Sequence, residues 1–173
     1  MNHEAKKYIE EGVGKYGLFE PEKAVACFYK ALELGVPGIL VYRLMASAYI
    51  NGYQNMTKEQ SDKAKCWLLK SYEECTTEGK INEKFITFCK ENAYQCNLSG
   101  ICFDLATLYY KECDSIMALK YYVEALRYLT ECPHLYQNHD EWLTNKCVSN
   151  ISNIIKKNPR SFVEMIAPTS VKI

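Results

Sequence analysis

The chain has 173 residues, 48% of them hydrophobic, which is ample for a core. Its 21 basic and 21 acidic side chains cancel. That balance argues against a general nucleic-acid binder, which needs a basic excess to displace counterions, and against attraction to a charged membrane surface.

Residues 4–17 have Ala5, Tyr8, Ile9, Gly12, Val13 and Tyr16 at helical spacing. Gly12 costs a helix about 1 kcal/mol relative to Ala, so it is read as a point of close helix contact. Pro21 opens a second helix, at a position where its missing donor has no partner to lose. That helix stops at Gly35, with Pro37 just beyond. A third helix spans about 38–51 and ends at Asn51-Gly52. A fourth, about 58–77, has Trp67, Leu68 and Tyr72 on its apolar side.

Residues 81–96 are read as a further helix with Phe85, Phe88 and Cys89 inward. A turn is expected at Asn97 to Gly100, then helices over 101–111 and 115–131, the latter ended by Cys132-Pro133. A long helix over 138–157 aligns Leu143, Cys147, Ile151, Ile154 and Ile155. A short turn of helix around 162–166 follows, and the tail from Pro168 is expected to be loose. No strand is expected. The class is all-α, built of antiparallel hairpins.

One spacing recurs. Ala24, Phe28 and Ala31 stand at offsets of four and seven, as do Ala118, Tyr122 and Ala125. A looser copy is Ala64, Leu68 and Ser71. These offsets put all three residues on one helical stripe, where the small residues admit a neighbouring helix and the aromatic fills the gap. Each stripe has a partner upstream: Tyr8, Gly12 and Tyr16; Tyr42, Ala46 and Tyr49; Cys102, Ala106 and Tyr109.

These residues resemble the tetratricopeptide repeat (TPR) family, whose helix-turn-helix unit places a large, a small and an aromatic residue on the first helix and the Ala–aromatic–Ala stripe on the second. The copies are about 4–36, 38–78 and 100–133. The second has a longer loop and looks like the related Sel-type repeat, and 81–97 matches neither pattern. The resemblance implies a single domain over 1–173: a short right-handed α-solenoid of stacked hairpins, capped by the helix at 138–157.

It also implies a concave face that binds a protein or peptide. Carried over by position, that face is Ile9, Val13 and Tyr16, then Arg43, Ser47 and Ile50, then Phe103, Thr107 and Tyr110. Chaperone-binding members of the family grip carboxylates with Lys, Asn and Arg. The matching positions here are Ile9, Val13, Leu44, Gly100 and Asp104, which do not supply those donors. The groove is therefore expected to be apolar and no such clamp.

Nine cysteines, with no Cys-x-x-Cys, are read as small buried hydrophobes in a reducing cytoplasm. The polar start MNHEAKKYIEEG has no signal-peptide character, and no membrane span is expected. Cys132, His134 and His139 cluster in sequence but are read as a solvated loop. No phosphate loop, nucleophile elbow or zinc motif is present. The expectation is a non-enzymatic adaptor or scaffold with no cofactor, no metal and no nucleic-acid partner. The alternatives are a small TPR chaperone for a secreted protein and a structural subunit of a larger complex.

Ala118→Leu overpacks a helix contact under this reading. It should lower stability by roughly 1–3 kcal/mol, measured by urea denaturation.

Overall fold

The computed structural model describes residues 3–78, 80–91, 98–131 and 140–166. It is all-α apart from one very short strand pair, with helices stacked in hairpin-like pairs. The chain divides into two compact units, Met1–Ile86 and Thr87–Ile173.

In the first unit, α1 (His3–Gly17) pairs with α2 (Pro21–Glu33), and α3 (Gly38–Gly52) pairs with α4 (Lys58–Cys75). α2 also packs on α3, and α1 touches α3, so the second hairpin lies directly against the first. The expected punctuation holds. Pro21 stands in the first turn of α2. Gly35, at φ 86°, ends it, with Gly35 N donating to Leu32 O (2.9 Å) and Val36 N to Ala31 O (3.0 Å). α4 opens on a capping box: the Thr57 hydroxyl accepts from Gln60 N (3.2 Å), and Thr57 N donates to Gln60 Oε1 (2.9 Å). The Glu74 side chain accepts a backbone hydrogen bond from Ile39 in the first turn of α3, so one hairpin helix caps the other; burial nevertheless pushes that carboxyl up.

Several boundaries differ from expectation. α4 ends at Cys75, because Thr76–Thr77 (β1) pair antiparallel with Lys80–Ile81 (β2) around Glu78 at φ 53°. The strand pair was not expected from a helical period. Beyond it, the Asn82 carboxamide accepts from Phe85 N (2.6 Å) and opens α5 (Glu83–Glu91), which buries Phe85. The side chains of Phe88 and Cys89 lie outside the described residues.

In the second unit, α6 (Leu98–Lys111) pairs with α7 (Ser115–Glu131), and α8 (Asp140–Lys157) and α9 (Pro159–Ile166) both pack on α7. α6 starts at Leu98, inside the expected turn, because Leu98, Ser99, Gly100, Ile101 and Cys102 are all buried and are held as helix by that packing. α8 buries Leu143, Cys147 and Ile154, whereas Ile151 and Ile155 are half-buried. The loop at 132–139 and the tail from 167 lie outside the described residues.

All three Ala–aromatic–Ala stripes are interior. Ala24, Phe28 and Ala31, then Ala64, Leu68 and Ser71, then Ala118 and Ala125 are fully buried, and Tyr122 is 1% exposed. The contact expected at Gly12 is present: a methyl group there would stand 2.6 Å from Phe28 Cε1. The hairpins α1–α2 and α6–α7 share the same turn at a constant sequence offset. Phe19 and Cys113 occupy matching positions in the left-handed region, at φ 57° and 64°. Phe19 N donates to Tyr16 O (3.0 Å) as Cys113 N does to Tyr110 O (3.1 Å). Glu20 N donates to Lys15 O (3.0 Å) as Asp114 N does to Tyr109 O (3.0 Å).

The second stripe has a flaw that the other two lack. Ser71 Oγ is buried with no hydrogen-bond partner among the described residues. Ser71→Ala removes that unpaired hydroxyl and restores the small apolar residue of the other copies. It should raise stability by about 1 kcal/mol, read from the midpoint of a denaturant titration; a loss of stability would refute the account.

Candidate functional site

The nine expected groove residues stand on the first helix of each hairpin, and in every case the side chain is left short of full burial. Val13 is 46% exposed. Ile9, Tyr16, Arg43, Ser47 and Ile50 in the first unit are half-buried, as are Phe103, Thr107 and Tyr110 in the second. Their helical neighbours Gly12, Ala46 and Ala106 are buried. Each first helix therefore has a fully buried side and a less buried one.

In the first unit a side-chain bond joins the two first helices. Asn51 Nδ2 donates both to Tyr16 OH (3.1 Å) and to Ser47 O (3.0 Å). The outer face there combines the apolar Ile9, Val13 and Ile50 with one guanidinium, Arg43. Toward the second helices, Trp67 of α4 is buried, with its ring 5.0 Å from Tyr49 and its Nε1 donating to Tyr29 OH (3.2 Å). This aromatic cluster ties α2, α3 and α4 together and fixes the angle at which α3 presents its outer side.

In the second unit the corresponding residues meet α8, which sequence reasoning assigned only as a cap. The Phe103 ring lies 5.9 Å from Trp142 and 5.7 Å from Tyr122. The Thr107 hydroxyl donates to Phe103 O (2.9 Å) and lies 3.2 Å from Tyr122 OH. Tyr122 OH also accepts from Asn150 Nδ2 (2.9 Å). Lys157 Nζ donates to Tyr110 OH (3.2 Å) and sits 5.9 Å from the centre of that ring. Successive α6 residues thus meet successive α8 residues, so α8 runs beside α6 in the same direction. Burial pushes the Tyr122 phenol above its usual range, although its bonds to Thr107 and Asn150 act the other way. It stays a neutral pivot between α6, α7 and α8.

Trp142 and Lys157 therefore adjoin expected groove residues, with Asn150 bonded to Tyr122 between them and Lys146 6.0 Å from the Trp142 ring, a placement that the sequence reading missed. These α8 residues recur at intervals of four, four and seven, a second stripe on a helix read only for its apolar side. Of the positions matched to a carboxylate clamp, Gly100 is buried and Leu44 and Asp104 are half-buried.

The cysteine expectation holds at Cys27, Cys75, Cys102 and Cys147, which are buried and unbridged. It fails at Cys66 and Cys113, which are exposed. Cys113 sits on the tight α6–α7 turn, where no neighbour among the described residues covers it. Cys132, His134 and His139 lie outside the described residues. Among the described residues no group of three or more His, Cys, Asp or Glu is placed to hold a metal ion, and no helix is long and apolar enough to cross a membrane. No protein-family model matches the chain, and no curated protein matches it.

Burial pushes the Cys147 thiol up to about 12 and raises that of Cys27. Iodoacetamide at neutral pH should therefore modify Cys66 and Cys113 in the folded chain and leave Cys147 untouched until denaturant is added, as read by peptide mass mapping.

Proposed function

We propose that this chain is a non-enzymatic interaction module of the TPR type, an adaptor or scaffold that binds a peptide or helix on the outer side of its first helices. The observation that carries the proposal is the split on those helices. Gly12, Ala46 and Ala106 close the hairpin seams, while Ile9, Val13, Tyr16, Arg43, Ser47, Ile50, Phe103, Thr107 and Tyr110 keep side-chain surface for a partner. Apolar and aromatic groups with a few fixed polar ones suit recognition of a polypeptide. The repeated hairpin, identical in its turn at Phe19 and at Cys113, supports the repeat-family reading. The proposed setting is the reducing cytoplasm, in keeping with the unbridged cysteines.

A permanent subunit of a larger complex is the second reading. It is favoured by Leu18 and Phe19, adjacent on the α1–α2 turn and 69% and 72% exposed. An apolar pair this open suits burial against a partner.

Val13→Glu combined with Tyr110→Glu should abolish co-purification of the partner from the native source while leaving the far-UV circular dichroism unchanged. Undiminished co-purification would remove the first-helix faces from the proposal. Leu18→Ser with Phe19→Ser separates the second reading: only a subunit docked through the turn loses its partner.

A further inference from the structure

The α6–α8 face of the second unit has a chemistry of its own. Trp142 is 58% exposed, although its ring is held against Phe103 at 5.9 Å. An open tryptophan braced by a second ring is a preformed contact surface, since its side-chain freedom is already reduced. Two ammonium groups follow it along α8, both on its C-terminal side. Lys146 Nζ stands 6.0 Å from the centre of the Trp142 ring, and Lys157 Nζ stands 5.9 Å from that of Tyr110. A ring attracts a cation without neutralising it, so both charges remain available. Neither lysine forms an ion pair with a carboxylate among the described residues. By contrast Lys15, Lys23, Lys58, Lys63 and Lys65 each have one.

We propose that this face binds an acidic, extended polypeptide segment whose apolar end rests on Trp142 and Phe103 and whose carboxylates, all to one side of that end, meet Lys146 and Lys157. The inference rests on the adaptor reading above and names the partner chemistry for one of its faces. The dimensions support it. At 1.5 Å per helical residue, Trp142 to Lys157 spans about 22 Å, and the two lysines are about 16 Å apart. At about 3.3 Å per extended residue, six or seven residues cover the stripe, and acidic side chains four or five residues apart meet both ammoniums. The α8 stripe Trp142, Lys146, Asn150, Asn153, Lys157 contains no acidic residue, and Asp104, beside Phe103 on α6, is the acidic side chain nearest to the apolar end of the site in sequence. Recognition runs along the segment and does not require a free chain end.

The test uses the full chain and a fluorescein-labelled peptide blocked at both termini, with a Leu-Phe pair at one end, a Glu pair beside it and a second Glu pair about four or five residues further on. A twin peptide has Lys in place of every Glu. The wild-type chain should bind the acidic peptide at least roughly tenfold more tightly than its twin, and raising salt from about 50 to 500 mM should erase most of that preference. Lys146→Met with Lys157→Met should weaken acidic-peptide binding roughly tenfold, and Lys146→Arg with Lys157→Arg should restore it to within about threefold. In a Trp67→Phe background Trp142 is the remaining tryptophan, and its emission should shift to the blue as the acidic peptide binds. Equal affinity for the two peptides, or acidic-peptide binding indifferent to the two lysines, would overturn the proposal. If the Val13→Glu, Tyr110→Glu chain loses its native partner while the peptides show no charge preference, only this inference falls. If the native partner is also retained, the adaptor reading falls with it.

Discussion

At Gly12 there is no room for even one methyl group against the Phe28 ring, and the rest of the architecture depends on that closeness. Two helices of a hairpin touch this tightly only where one offers a hydrogen or a methyl and the other fills the space with a ring. Gly12 against Phe28 achieves this in the first unit. In the second, Ala106 and Tyr122 are buried at the matching positions. The seam removes whole side chains from water, worth about 2–3 kcal/mol for a ring such as Phe28. By setting the rotation of each first helix, it also decides which side chains point outward. Ile9 and Val13 are half-covered or open because Ala5 and Gly12 are packed.

The change from Phe28 to Tyr122 has structural consequences. The added hydroxyl would be costly in a sealed core, yet Tyr122 meets both Thr107 and Asn150. That one atom links α6, α7 and α8, and places α8 so that Trp142 rests on Phe103 and Lys157 reaches Tyr110. The first unit uses a lighter device for the same end. There Asn51 joins α3 to α1 through the Tyr16 hydroxyl. In both units a tyrosine near the end of the first helix accepts a bond from the next helix that runs beside it, so its apolar body serves packing and its polar tip serves alignment.

The strained turns fit the same picture. Phe19 and Cys113 adopt a left-handed conformation that favours glycine, in turns with the same hydrogen-bond pattern. The strain is tolerated because the two helices, locked at the seam, leave only one short path between them. Phe19 is consequently turned outward and open, and Cys113 is exposed for the same reason.

The helices, their stops and the buried stripes were legible in the chain because each is a local matter. A period of 3.6, Pro21 at a helix start, Gly35 past a helix end and the Ala24–Phe28–Ala31 spacing all act within a few residues. Val13, next to the buried Gly12, is open for the same local reason. The Thr76–Thr77 strand pair, the early start of α6 at Leu98 and the exposure of Cys66 were decided by neighbours distant in sequence, which leave no periodic trace. The same holds for α8: its apolar side was evident, but that Trp142 and Lys157 would meet Phe103 and Tyr110 depends on which hairpin the helix packs on and in which direction. Sequence by itself determined which residues lie inside each helix pair, because burial is written in short-range spacing. Tertiary structure alone decided which side chains of separate helices share one surface, because that juxtaposition is set by docking angles that no single helix encodes.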